Sequence, residues 1–172
     1  MKLINKNIYS LLLACLTLLL VIFSSCSKED DLIWDISPLV ITLDVRDDAG
    51  NDLFDPEFPD NIIESGVRAE YQGKYYDLSP RYIASTRYYM PHFRGLTYEN
   101  FPYREVAYNI EFGELFGDKN YHDEKIIIHW GDGTKNVIVF THSFWWKKQK
   151  PHSKTTVYLD GEKVSMPIKL VR

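Results

Sequence analysis

Five histidines, His92, His122, His129, His142 and His152, are the side chains best suited to metal or acid–base chemistry in this sequence. His129 and His142 fall on two strand-like runs joined at Asp132-Gly133, an arrangement that could offer two imidazoles to one zinc. Register argues against it. A two-residue Asp132-Gly133 loop sets His129 opposite Asn136 and leaves His142 six residues further on. That is about 20 Å at a strand's rise, whereas ligands of one metal lie a few ångströms apart. The same register sets His142 opposite Asp123 with His122 close by, a pairing expected as a surface hydrogen bond rather than a catalytic base.

Other catalytic signatures are missing. There is no Gly-x-Ser-x-Gly elbow, no Ser-x-x-Lys set in a suitable context and no phosphate-cradling loop. The sequence therefore reads as a non-enzyme. Two acids meeting across a sheet leave no linear signature, so a small hydrolase with non-local carboxylates stands as the alternative. Asp47-Asp48-Ala49-Gly50-Asn51-Asp52, running on to Asp60, offers the oxygen ligands that calcium takes. It lacks the Asp-x-Asp-x-Asp-Gly order and closing Glu of an EF-hand, so a solvated turn is expected, with a calcium-stabilised adhesion domain as a further alternative. No metal or cofactor is assigned.

The residues that best suit binding are aromatic. Phe144-Trp145-Trp146-Lys147-Lys148-Gln149-Lys150-Pro151-His152 follows a strand and leads into a predicted loop. Adjacent residues of a strand face opposite sides, which predicts one tryptophan in the core and the other exposed. An exposed indole beside lysines suits a sugar ring, a protein partner or anionic lipid headgroups. The bland counterpart packs both rings under the loop and leaves the lysines as an edge-guarding rim. Tyr88, Tyr89 and Arg94 lie in the aromatic and irregular stretch Arg81–Arg104. They join Trp145 and Trp146 as candidate ligand-binding residues, against the plainer reading that tyrosines fill the core.

The elements that must position these groups are strands. Leu39, Ile41, Leu43 and Val45 alternate with Val40, Thr42, Asp44 and Arg46, which is the two-residue period of a strand with one buried face. Val67–Tyr71 and Tyr75–Leu78 flank Gln72-Gly73-Lys74 as a hairpin. Glu105–Leu115 alternates again, and the runs 124–130 and 135–140 flank Asp132-Gly133 with apolar residues on both faces, predicting a central hairpin covered on both sides. Lys154–Leu159, Asp160-Gly161 and Glu162–Val171 read as strand, turn, strand. Eight or nine strands with turn signals about every ten residues predict an all-β, antiparallel β-sandwich, loosely immunoglobulin-like, with a partly open barrel as the alternative.

The N-terminus reads differently. Lys2 and Lys6 precede an uncharged apolar run, residues 11–23, and then Ser24-Ser25-Cys26. A positive region, an apolar core and a small-residue site make a secretory signal peptide, and the run is short of the roughly 20 residues of a membrane span. Phe23-Ser24-Ser25-Cys26 resembles a bacterial lipobox, with Phe23 where an aliphatic residue is usual. Ser27-Lys28-Glu29-Asp30-Asp31 is similar to the Lys-plus-acidic export signal of Bacteroidetes surface lipoproteins. The resemblance implies a signal peptide over 1–25, lipidation at Cys26, an acidic tether over 26–33 and one domain over 34–172. It also implies a site at the outer membrane, lipid-anchored and facing the cell surface.

Cleavage before Cys26 leaves 147 residues, enough for one core, with 18 basic and 24 acidic side chains. That acidity argues against a general nucleic-acid binder, and no nucleic-acid partner is expected. With Cys15 in the removed segment and Cys26 lipidated, the domain has no thiol for a disulfide, a thiolate metal site or a nucleophile. The expected function is a non-catalytic binding or structural module of the cell envelope, with a glycan or an envelope protein as partner and the membrane engaged through the lipid.

Overall fold

Alternation of apolar and polar residues builds the first strand, β1 (Leu39–Arg46), whose Leu39, Ile41, Leu43 and Val45 are buried while every intervening residue is half-buried. The computed structural model describes residues 35–81, 93–98 and 109–172, and among these the chain forms eleven strands and no helix. The others are β2 (Arg68–Tyr71), β3 (Lys74–Asp77), β4 (Ser79–Pro80), β5 (Gly95–Tyr98), β6 (Ile110–Leu115) and β7 (Tyr121–His129). After them come β8 (Lys135–Lys147), β9 (Lys150–Leu159), β10 (Glu162–Val164) and β11 (Ile168–Val171).

They form two sheets, ordered β11-β1-β6-β5-β4 and β10-β9-β8-β7-β2-β3. Most neighbours are antiparallel, while β1–β11 and β4–β5 are parallel. The sheets pack face to face as a β-sandwich, and they do not close into a barrel. Ile41, Leu43, Leu96, Ile110, Phe112 and Ile168 from the first sheet meet Ala69, Ile126, Ile128, Ile138 and Phe140 from the second, all without solvent exposure. Tyr71, Tyr76, Phe93 and Phe112 fill one end of this core with edge-on rings whose centroids lie 5.1–6.0 Å apart.

Turn chemistry sets the registers. Gln72-Gly73 and Asp160-Gly161 are two-residue turns with both residues at positive φ, the geometry that matches strand twist. The β7–β8 turn differs from expectation. Trp130 N donates to Thr134 O at 3.1 Å, so three residues, Gly131 to Gly133, make the loop. His129 consequently pairs with Lys135, and Asn136 faces Ile128. Gly131, at φ 85°, is the added residue, and a Cβ there would collide with the Ser65 carbonyl oxygen.

Two further expectations are corrected. The β7–β8 hairpin is central in its sheet, yet only one face is buried: Ile127, Val137 and Val139 on the other remain half-buried. Glu162–Val171 is not one strand, because β10 ends the six-stranded sheet and β11 joins the other beside β1. Trp130 is buried with its indole N–H satisfied by Asn136 Oδ1 at 2.7 Å, and Asn136 Nδ2 in turn donates to Asp160 Oδ2 at 2.6 Å. A chain of polar contacts thus ties the β7–β8 turn to the β9–β10 turn.

Candidate functional site

Strands β8 and β9 are longer than any strand of the facing sheet. Their pairing runs without interruption from Ile138↔Leu159 to Lys147↔Lys150 and closes on Lys148 and Gln149, both at positive φ. Phe144-Trp145-Trp146-Lys147 therefore ends a strand and forms one side of a hairpin arm, not the entry to a loop. Along β8 the core-facing residues are Ile138, Phe140, His142, Phe144 and Trp146. The first three are buried, Phe144 is half-buried and Trp146 is 54% exposed. Core cover ends at His142.

His142 explains where that cover stops. Its Nε2 donates to the Gly117 carbonyl at 3.0 Å, and its Nδ1 accepts from Thr155 Oγ1 at 2.7 Å, the tautomer that satisfies both neighbours. Gly117 packs so closely on Ser37 that a Cβ there would meet the Ser37 carbonyl. The expected His142–Asp123 surface pair does not form. An irregularity between Tyr121 and Glu124 brings Tyr121 opposite His142, and Asp123 instead accepts from Thr141 Oγ1 at 2.8 Å.

Beyond His142 both tryptophans are exposed, Trp145 at 42%, so neither belongs to the core as the alternation predicted. Trp145 stacks on His152, its cross-strand partner, with centroids 5.8 Å apart and planes 14° apart. Trp146 meets Phe144 edge-on at 5.6 Å on the opposite face. Lys147, Lys148, Lys150 and Lys154 are exposed around them. An open cleft of about 210 Å³ lies at the base of the arm, lined by Asp35, Ser37, His142, Phe144, Pro151 and His152.

The remaining sequence candidates are not gathered here. Arg94 precedes β5 in the other sheet, where its N–H donates to the Gly113 carbonyl at 2.9 Å. Cys26, Tyr88, Tyr89 and His92 lie outside the described residues. In the acidic loop the carboxylates serve its turns. Asp47 Oδ1 accepts from Asn51 N at 2.7 Å, Asp52 Oδ1 from Phe54 N at 2.9 Å and Asp55 Oδ1 from Glu57 N at 2.8 Å. The Asn51 side chain, bonded to Asp47, holds that carboxyl below its ordinary value. Among the described residues no three His, Cys, Asp or Glu side chains are grouped to hold a metal ion.

Two other arrangements were invisible in the sequence. His129 Nε2 lies 3.2 Å from Glu70 Oε2, across 59 residues of chain. Arg68 covers the Tyr75 ring at 4.5 Å nearby, and Tyr75 lies 5.8 Å from the His129 ring. The adjoining cleft of about 350 Å³ also reaches Ser65, whose hydroxyl is directed at the carbonyls of Ile62 (2.7 Å) and Trp130 (3.2 Å). A serine bound to carbonyls in that way is not set up as a nucleophile for His129. Elsewhere, Arg81 bridges Glu111 at 2.7 Å and Glu114 at 3.5 Å. Compared with protein-family models, curated proteins and solved structures, the chain matches none.

Proposed function

We propose that this chain is a lipid-anchored protein of the cell envelope, held at the outer membrane through Cys26 and facing the cell surface. In this reading its β-sandwich is a non-catalytic binding module, and the β8–β9 arm is the element that meets the partner. One observation carries it: two adjacent tryptophans are solvent-exposed on a paired, ordered strand. Large exposed aromatics on a pre-ordered element supply contact area at little entropic cost. A glycan or an envelope protein are the partner classes that such a surface serves.

The test compares the Ser27–Arg172 protein with its Trp145→Ala/Trp146→Ala variant, the variant's fold being checked by near-ultraviolet circular dichroism. Both are applied to a glycan array and to purified envelope proteins. Binding by the unaltered protein that the variant loses supports the reading. Binding that the variant keeps in full places recognition elsewhere and overturns the role of the arm.

A further inference from the structure

We infer that the tip of the β8–β9 arm seats in the headgroup layer of an anionic bilayer. The inference deepens the binding-module reading and rests on it. It begins with charge. Residues 144–154 carry Lys147, Lys148, Lys150 and Lys154 and no acid, in a chain whose formal net charge is −4. A cationic tip on an acidic protein is complementary to an anionic surface, and indoles and lysine stems are the side chains that settle at the boundary of lipid and water.

Geometry separates a bilayer from a sugar. Trp145 and Trp146 lie on opposite faces of the hairpin, with Trp145 already stacked on His152 and Trp146 set against Phe144. A flat ligand that stacks on one face leaves the other indole in water. A layer entered end-on takes up both faces at once, together with the exposed Lys148-Gln149 turn between them. The exposure of both rings is then of use in a way that no single stacked ring would explain.

The tether adds a second argument, which rests on the lipid at Cys26. Asp35 and Ser37 line the cleft at the base of the arm with Phe144, Pro151 and His152, so the chain enters the domain at that base. Cys26 lies nine residues before Asp35, a span of at most about 30 Å. From Phe144 to Lys147 the arm advances about 10 Å. Anchor and tip can therefore reach one bilayer surface, and a short tether raises the effective concentration of a weak contact.

The test uses Ser27–Arg172 held on vesicles through an N-terminal hexahistidine tag bound to nickel-chelating lipid, so that the anchor is common to every sample. This chain has no cysteine, so Gln149→Cys supplies a single thiol, labelled with an environment-sensitive fluorophore. A second sample carries the label at Lys163→Cys, opposite Tyr158 and about 30 Å along β9 from the turn. Vesicles are phosphatidylcholine alone or with phosphatidylglycerol, each with and without spin-labelled lipid as quencher.

The expected result is a blue-shifted, quencher-accessible label at position 149 in the anionic vesicles and a solvent-exposed label at 163. Lys147→Gln/Lys148→Gln/Lys150→Gln should lower the ratio of inserted to free arm about tenfold or more, and Trp145→Ala/Trp146→Ala should lower it too. A label at 149 that stays in water in both vesicle types overturns the inference. So does insertion that is equal in the two and indifferent to the lysines. If the arm stays in water while the double tryptophan variant still loses a glycan or protein ligand, the lipid inference falls and the binding module stands. Loss of both results removes both.

Discussion

Tyr71 shows how one polar atom is accommodated at the edge of this core. Its ring is 5% exposed and meets Phe112 edge-on at 5.3 Å, while its hydroxyl accepts from Gln72 Nε2 at 3.1 Å. Burial pushes the phenol above its ordinary value of 10.0, and hydrogen bonding to Glu124 pushes it the same way. The folded state therefore holds this proton more tightly than the unfolded chain does. Its contribution to stability is complete below pH 10 and declines above it, where the unfolded chain ionises first. Tyr71→Phe should cost about 1 kcal/mol at neutral pH through the lost hydrogen bonds. It should also make the alkaline fall in stability shallower by up to one proton. Urea midpoints measured either side of pH 10 check both parts, and an unchanged alkaline slope would mean that the phenol is not held in this way.

At the scale of elements, the Lys148-Gln149 turn carries a local cost. Its residues sit at φ 51° and 60°, a region that L side chains enter reluctantly and that Asn-Gly turns favour. Gln149→Gly, which keeps every lysine, should raise stability by roughly 0.5–1 kcal/mol. The checks are a higher urea midpoint and slower amide exchange at Lys147. A lower midpoint would show that the turn does not have this mirror geometry. The strands themselves were largely legible in the sequence: the buried set Leu39, Ile41, Leu43 and Val45 of β1 is the one its alternation picks out. The β7–β8 register was not, since Gly131 can be either the last strand residue or part of the loop, and only its packing on Ser65 decides. Opposite faces for Trp145 and Trp146 were readable from the two-residue period. That neither is covered depends on where the facing sheet stops, which is set by His142, Gly117 and Ser37 and by no local pattern. The His129–Glu70 contact joins strands 59 residues apart in sequence, beyond the reach of any motif.

The whole molecule is held closed by its last few described residues. β11 lies parallel to β1, pairing Leu43 with Ile168 and Val45 with Leu170, and of its three apolar side chains Ile168 and Leu170 are buried while Val171 is exposed. Arg172 then spans the two sheets. Its backbone N–H donates to the Arg46 carbonyl at 2.8 Å, and its guanidinium lies 4.4 Å from the Trp130 ring. The same group is paired with Asp132 and donates to Thr134 Oγ1 at 2.9 Å. The Thr134 hydroxyl, and Arg172 beside it, hold the Asp132 carboxyl below its ordinary value. Removing residues 168–172 exposes the inner face and hydrogen-bonding edge of β1 together. Two buried aliphatic side chains are worth about 1.5–3 kcal/mol each, against a total stability of roughly 5–15 kcal/mol for a domain. The truncated chain should consequently be mostly unfolded or self-associating through the bared edge. Arg172→Ala, which leaves β11 intact, should cost much less than the truncation, because its polar partners Asp132 and Thr134 are exposed. Urea unfolding followed by tryptophan fluorescence, with light scattering for association, separates the two variants. Equal losses would mean that the ion pair and not the strand closes the sandwich, whereas a truncated chain as stable as the intact one would show that β1 needs no partner on that side.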